Sequence, residues 1–276
     1  MGMRWVLRRA RAGLAAVAVA GLLVGVAGCG SDSSDSNDSS SAGSSPSGSA
    51  GVTGTVTVFA AASLTELFTA LGKQVEAKNP GSTVRFNFGG SSALAQQIVS
   101  GAPADVFAAA SEKTMQTAVD AQAVAGTPIV FARNQLAIAV PPDNPAKIAA
   151  LADLAKPGVK VALCAPQVPC GDAAVKVQKA TGVTIKPVTQ EQDVKAALTK
   201  VKLGEVDAAL VYKTDVKSAG TSVTGIDFPE SAKAINTYPV AVLAKAPNSA
   251  GAKAFADYVL SADGKAALTA AGFQTP

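Results

Sequence analysis

Short apolar runs alternate along this chain with stretches whose apolar positions recur at helical spacing. Residues 56–59 form such a run, and 64–79 then carry a helical pattern that Pro80-Gly81 stops. Strand patterns follow over 84–88 and 105–109, with helical ones over 93–100 and 112–121. Two further runs, 129–132 and 136–140, end at Pro141-Pro142. The pattern then restarts. Strands are predicted over 159–164, 184–188, 208–211 and 240–243, and helices over 172–181, 192–203, 250–260 and 261–271. Such alternation predicts an α/β fold with parallel sheets covered on both faces, and the restart predicts two lobes.

In open α/β sheets a ligand sits beyond the carboxyl ends of the strands, so the residues at those ends matter most. Ser63 follows the first strand through three alanines, and Ser63-Leu64-Thr65-Glu66 spells a capping box. The box predicts that Glu66 faces its own helix terminus. Ser91 and Ser92 follow the second strand through Gly89-Gly90 and open a helix. Cys170 sits before a helix in Val168-Pro169-Cys170-Gly171-Asp172. Thr189-Gln190-Glu191-Gln192 spells another capping box and puts Val194 in a first helical turn. Tyr212 ends a strand. Helix starts carry amides with no intrahelical acceptor, and the dipole adds partial positive charge, so each corner could hold an anion. Each corner alone also reads as an ordinary capped helix, and Tyr212 alone as a packing aromatic. Together they offer neutral donors only, because the two arginines beyond residue 28, Arg85 and Arg133, lie outside the corners. Such a set suits a fully ionised oxyanion.

Composition narrows the classes. The chain contains no histidine, which removes the usual base for a nucleophilic Ser63 or Cys170; Ser–Lys hydrolase chemistry stays open. Residues 1–28 read as an export leader. Arg4, Arg8, Arg9 and Arg11 precede an apolar stretch, 13–27, that is too short for a comfortable membrane span. Val26-Ala27-Gly28-Cys29 spells a bacterial lipobox, with Cys29 as the lipidated first residue of the mature chain. Ordinary secretory cleavage, with Cys29 incidental, is the alternative. Residues 29–54 are rich in Ser, Gly and Asp and predict a disordered tether with a span of roughly 25–30 Å. The formal charge of +4 falls to near zero once the four leader arginines are set aside, so no nucleic-acid footprint is present. Export to an oxidising compartment allows a disulfide between Cys164 and Cys170.

The motifs VFAAASLTE, FGGSSALAQQI, SGAPADVFAAAS, CAPQVPCG, QDVKAAL, DAALVYKTD and YPVAVL, in this order over residues 55–276, resemble the periplasmic molybdate-binding proteins of ABC importers. The resemblance implies a two-lobed periplasmic-binding-protein fold of type II, with a cleft between lobe 1 (55–133 plus 229–276) and lobe 2 (134–228). It implies a monomer that binds molybdate, and tungstate with it, and delivers it to an ABC permease and its ATPase subunit while lipid-anchored outside the plasma membrane. No catalysis, cofactor or directly coordinated metal cation is implied. Ligand contacts would come from Ser63 and Ser91, from the Cys170 and Val194 amides and from the Tyr212 hydroxyl. Sulfate or another tetrahedral oxyanion is the alternative ligand. Gly89-Gly90 and Cys170 depart from the family pattern.

Overall fold

The computed structural model describes residues 52–276; the leader, Cys29 and most of the tether lie outside them. Strand β1 (Gly54–Ala61) leads through a buried 3-10 turn (Ala62–Leu64) into α1 (Thr65–Lys78). Then come β2 (Ser82–Gly89), α2 (Ser91–Val99), β3 (Val106–Ala108), α3 (Glu112–Asp120) and the long β4 (Val124–Asn134). A second set follows: β5 (Leu136–Val140), β6 (Val161–Cys164), α4 (Pro169–Thr181), β7 (Thr189–Glu191), α5 (Val194–Lys202), β8 (Ala208–Tyr212), α6 (Lys213–Ala219) and β9 (Thr224–Ile226). The chain closes with β10 (Asn236–Leu243), α7 (Ser249–Leu260) and α8 (Ala262–Ala271).

Two five-stranded sheets result, ordered β2-β1-β3-β10-β4 and β7-β6-β8-β5-β9. Strand β1 shows why the first sheet is covered on both faces. Successive side chains point to opposite faces, so Val56, Val58 and Ala60 join one apolar cluster with α1, α7 and α8, while Phe59 joins another with α2 and α3. Phe68 of α1 is fully buried and packs edge-on against Phe255 of α7, ring centres 5.5 Å apart. A third cluster fills the second half.

The sheets are mixed rather than parallel. β1 pairs parallel with β2 and β3, and β6 with β7 and β8. β10 runs antiparallel to both β3 and β4, and β5 antiparallel to both β8 and β9. The antiparallel members are those next to the crossings: the chain leaves the first sheet at Asn134, enters the second at Leu136, and returns from Ile226 to Asn236.

Other differences are local. The predicted strand over 184–188 is absent, and pairing starts at Thr189. Pro187 has no N–H for the ladder, so the first bond is from the Val188 amide to Val161 O. α4 starts at Pro169, three residues earlier than its pattern indicated, because proline suits a first helical position. α6 and β9 had no periodicity long enough to read.

Gly171 brings α4 close to β6. A Cβ there would strike the carbonyl groups of Ala165 and Cys164. Backbone cannot swing aside as a side-chain tip can, so Gly171→Ala should lower the unfolding free energy by roughly 1–3 kcal/mol. Urea unfolding measures this, and a variant as stable as wild type would contradict so close an approach.

Candidate functional site

Ser63, Ser91, Cys170, Val194 and Tyr212 line one cavity, together with Ala61, Ala62, Gly89, Gly90, Ala110, Val168, Pro169 and Asp193. It lies where the carboxyl ends of β1, β2, β6 and β8 meet, so both sheets contribute. The space is small. The centre of a water-sized sphere ranges over about 20 Å³, which corresponds to a void roughly 3 Å in radius. A compact group of a few atoms fits; a sugar or a peptide does not.

Ser63 lies within the 3-10 turn rather than capping α1. The cap residue of α1 is Leu64, with no side-chain bond. Three small residues allow the chain to tighten before the α-helix begins, which moves the Ser63 hydroxyl off the helix axis. Ser63 Oγ instead lies 2.9 Å from Tyr238 Oη. Ser91 is the first residue of α2, and its Oγ accepts from the Ala110 amide at 3.0 Å. Cys170 is the second residue of α4 and is joined to Cys164 by a disulfide. The bridge ties the end of β6 to the start of α4 and so holds the Cys170 amide in place. Val194 is the first residue of α5. The predicted Thr189 box does not form, because Thr189 is in β7; Asp193 caps α5 by accepting from the Ala196 amide at 2.9 Å. By position, the amides of Ser91, Cys170 and Val194 have no acceptor in their own helices. Tyr212 is 1% exposed, and its hydroxyl has no hydrogen-bond partner among the described residues. Burial raises its pKa well above that of an ordinary tyrosine, so it stays a donor at neutral pH. The arrangement converges neutral donors on one point.

Several contacts cross between the halves around this cavity. Ser92 Oγ donates to Gln167 O at 2.7 Å, and Asn236 Nδ2, which bonds Ala110 O within its own half, also donates across to Pro169 O. Glu66 does not turn back to its own helix terminus as expected. With Ser63 drawn to Tyr238, no reciprocal cap exists, and Glu66 meets Lys195 of α5 at 2.8 Å. Lys195 Nζ also lies 3.2 Å from Asp215 Oδ1, too poorly aligned for a hydrogen bond. Asp215 is fully buried and its Oδ2 accepts from the Tyr212 amide. Sequence reasoning passed over Tyr238, Asp193, Asn236, Lys195 and Asp215. Tyr238 stood in a quoted motif, YPVAVL, but only a register that pairs β10 with β4 brings it under Ser63.

The sequence profile of the bacterial extracellular solute-binding proteins matches residues 56–274. The chain belongs to that family. This solute-binding protein is 44% identical over 222 residues to the molybdate-binding protein ModA of Mycobacterium tuberculosis (strain H37Rv), a match that covers 80% of this chain and 85% of the relative. Its fold is shared with the periplasmic molybdate-binding protein of Azotobacter vinelandii (TM-score 0.68, 21% identity, 80% of this chain and 99% of that one). It is shared equally with the sulfate-binding protein SubI of M. tuberculosis (TM-score 0.69, 19% identity, 80% and 86%). The family is one of extracytoplasmic binding proteins, not enzymes, so Ser63 and Cys170 are not hydrolase nucleophiles. No cofactor belongs to that role.

Two predictions follow from this geometry. A Cβ at Gly90 would strike Gln192 O across the cleft. Gly90→Ala should therefore hold the halves apart, read as a larger radius of gyration in X-ray scattering with the unfolding midpoint kept within a few degrees. An unchanged radius would contradict it. The second concerns Asp215, whose pKa burial pushes up from 3.8 to about 6, against the pull of Lys195. Because the folded pKa is the higher one, Asp215 favours folding fully below about pH 4, and that contribution is lost as pH rises through about 6. The stability difference, wild type minus Asp215→Asn, should fall by roughly 2–3 kcal/mol over this window and stay flat above it. Urea unfolding at several pH values tests this, and a flat difference from pH 4 to 7 would refute it.

Proposed function

We propose that this protein captures molybdate, and tungstate with it, outside the cytoplasm and delivers it as a monomer to an ABC permease driven by its ATPase subunit, tethered to the membrane by a lipid on Cys29. The observation that carries the ligand is a cavity of single-anion size, lined by free helix-start amides, two serines and a buried tyrosine hydroxyl without a partner. Ser63, Ser91 and Tyr212 would donate through hydroxyls, and Cys170 and Val194 through their amides. The name of the M. tuberculosis relative supports molybdate over other anions. We assign residues 55–133 with 229–276 to lobe 1 and 134–228 to lobe 2. The two separate sheets support this division, and the contacts across the cleft support a closed state.

Hydrogen bonds to a charged acceptor are stronger than neutral pairs, and a closed cleft of low dielectric strengthens them further. A neutral cage avoids burying a fixed cation, whose desolvation would offset much of the attraction. Sulfate is smaller, so in a cavity sized for molybdate it would leave some donors unmatched. Sulfate as the main ligand is the second reading, which the fold shared with SubI allows.

Isothermal titration with molybdate, tungstate, sulfate and phosphate at neutral pH tests the proposal. Molybdate and tungstate should bind with similar affinity and sulfate more weakly. No heat with the first two, from folded protein, would refute it. Ser63→Ala and Tyr212→Phe should each cost about 1.5–3 kcal/mol of binding, roughly 10- to 150-fold. If neither changes the affinity, the ligand contacts lie elsewhere even though the function stands.

A further inference from the structure

The bridge between Cys164 and Cys170 closes a ring of chain that faces both the cavity and the other half. Cys164 ends β6, and Cys170 is the second residue of α4. Val168, inside the ring, lines the cavity beside Cys170, and the Cys170 amide has no acceptor in its own helix. The same ring carries acceptors for the facing half. Ser92 Oγ donates to Gln167 O, and Asn236 Nδ2 donates to Pro169 O. Just beyond the ring, Asp172 lies 3.9 Å from Lys113. One short segment therefore offers a donor to the ligand and acceptors to closure.

The backbone ties this segment at its start. The Ala165 amide donates to Glu191 O of β7, and the Val168 amide closes a turn onto Ala165 O. Pro169 has no N–H to add. The further core contacts of α4, through Ala173, Ala174 and Val177, begin after the first helical turn. The bridge spans the stretch between, and its covalent link fixes the first turn of α4 on the end of β6. Both sulfur-bearing residues are buried, Cys164 at 4% and Cys170 at 3% exposure. Cys170 is on the cavity wall, so parting the halves uncovers it.

We propose that this bridge is a redox gate on the anion site: while it is closed, the ring presents the Cys170 amide and the closure acceptors together, and reduction by a thiol lets the ring shift and the anion leave. The proposal rests on the oxyanion-binding reading above. A thiolate attacks one sulfur of the bridge, the S–S bond breaks, and the other sulfur leaves as a thiolate. A second thiol then resolves the mixed disulfide. Two electrons and two protons pass to the protein, which ends with two thiols, and the reductant ends as its own disulfide. The reducing thiol enters while the halves are apart, because the closed cavity admits only a compact group. Linkage makes the gate reciprocal. If the oxidised form binds the anion more tightly by some factor, the bound anion favours the oxidised form by the same factor.

Calorimetric titration of the full chain with tungstate, before and after reduction and with the reductant removed by gel filtration under argon, reads the first half of the gate. The reduced chain should bind about tenfold more weakly, or worse, with its circular dichroism unchanged. Equilibration in graded thiol–disulfide buffers, with and without saturating tungstate, reads the second half. Alkylation and mass analysis of the Cys164 and Cys170 peptides count the bridge apart from Cys29. At a fixed buffer ratio, tungstate should raise the proportion of oxidised to reduced bridge by the factor that calorimetry gives. A bridge that only braces the loop moves neither quantity. The proposal is overturned if the reduced, folded chain binds tungstate within about twofold of the oxidised one, or if tungstate leaves the thiol–disulfide balance where it was. Reduction that unfolds the chain overturns it too, since the bridge would then hold the fold rather than the site. An oxidised, folded chain that binds neither tungstate nor molybdate overturns the parent reading instead, a result distinct from the others.

Discussion

Amides at a helix start have no carbonyl of their own helix to bond, and a buried one must find a partner elsewhere. In this protein three α-helix starts and a 3-10 turn from two different sheets open onto the same small space. Neither sheet alone encloses that space. The carboxyl ends of β1 and β2 supply one wall, and those of β6 and β8 supply the other. Packing each half therefore leaves donors that only an acceptor between the halves can satisfy. Under the proposed function that acceptor is the anion, and its capture is coupled to closure.

Closure has its own chemistry, and it is mostly uncharged. Asn236 and Ser92 bridge the halves through backbone carbonyls, and Gly90 lets the backbone of one half lie against Gln192 of the other. The Glu66–Lys195 and Lys113–Asp172 pairs are the charged exceptions. Lys195 also lies over Asp215, whose carboxylate is buried beside the end of β8 and accepts the Tyr212 amide. The strand end that carries Tyr212 is thus held by a carboxylate whose charge costs free energy unless Lys195 is near. That links the position of one cavity-lining residue to a contact across the cleft.

The Cys164–Cys170 disulfide works at shorter range. It joins residues six apart, so the loop it closes is small and its entropic effect on the unfolded chain modest. Its consequence is local: the end of β6 and the first turn of α4 cannot separate, and Gly171 packs beneath the same strand end. A helix start that must present an amide at a fixed point gains from both.

Periodicity alone determined most of this architecture. Runs such as 56–59 and 136–140 are apolar because both faces of their sheets are covered, and the restart after residue 158 signals a second sheet, although that sheet already begins with β5 and β10 returns to the first. The corners were legible too, because Ser63, Ser91, Cys170, Val194 and Tyr212 each stand at a strand end or a helix start, and the structure brings all five to one cavity. Strand direction was not legible: β10 and β5 run antiparallel to their neighbours, and hydrophobic pattern carries no sign for direction. Hydrogen-bond partners were not legible either. Ser63 and Glu66 spell a capping box in one dimension, yet Tyr238 and Lys195, remote in sequence, take both side chains once the sheets are assembled. A local motif competes with every partner that folding brings near, and only the tertiary structure decides which bond forms.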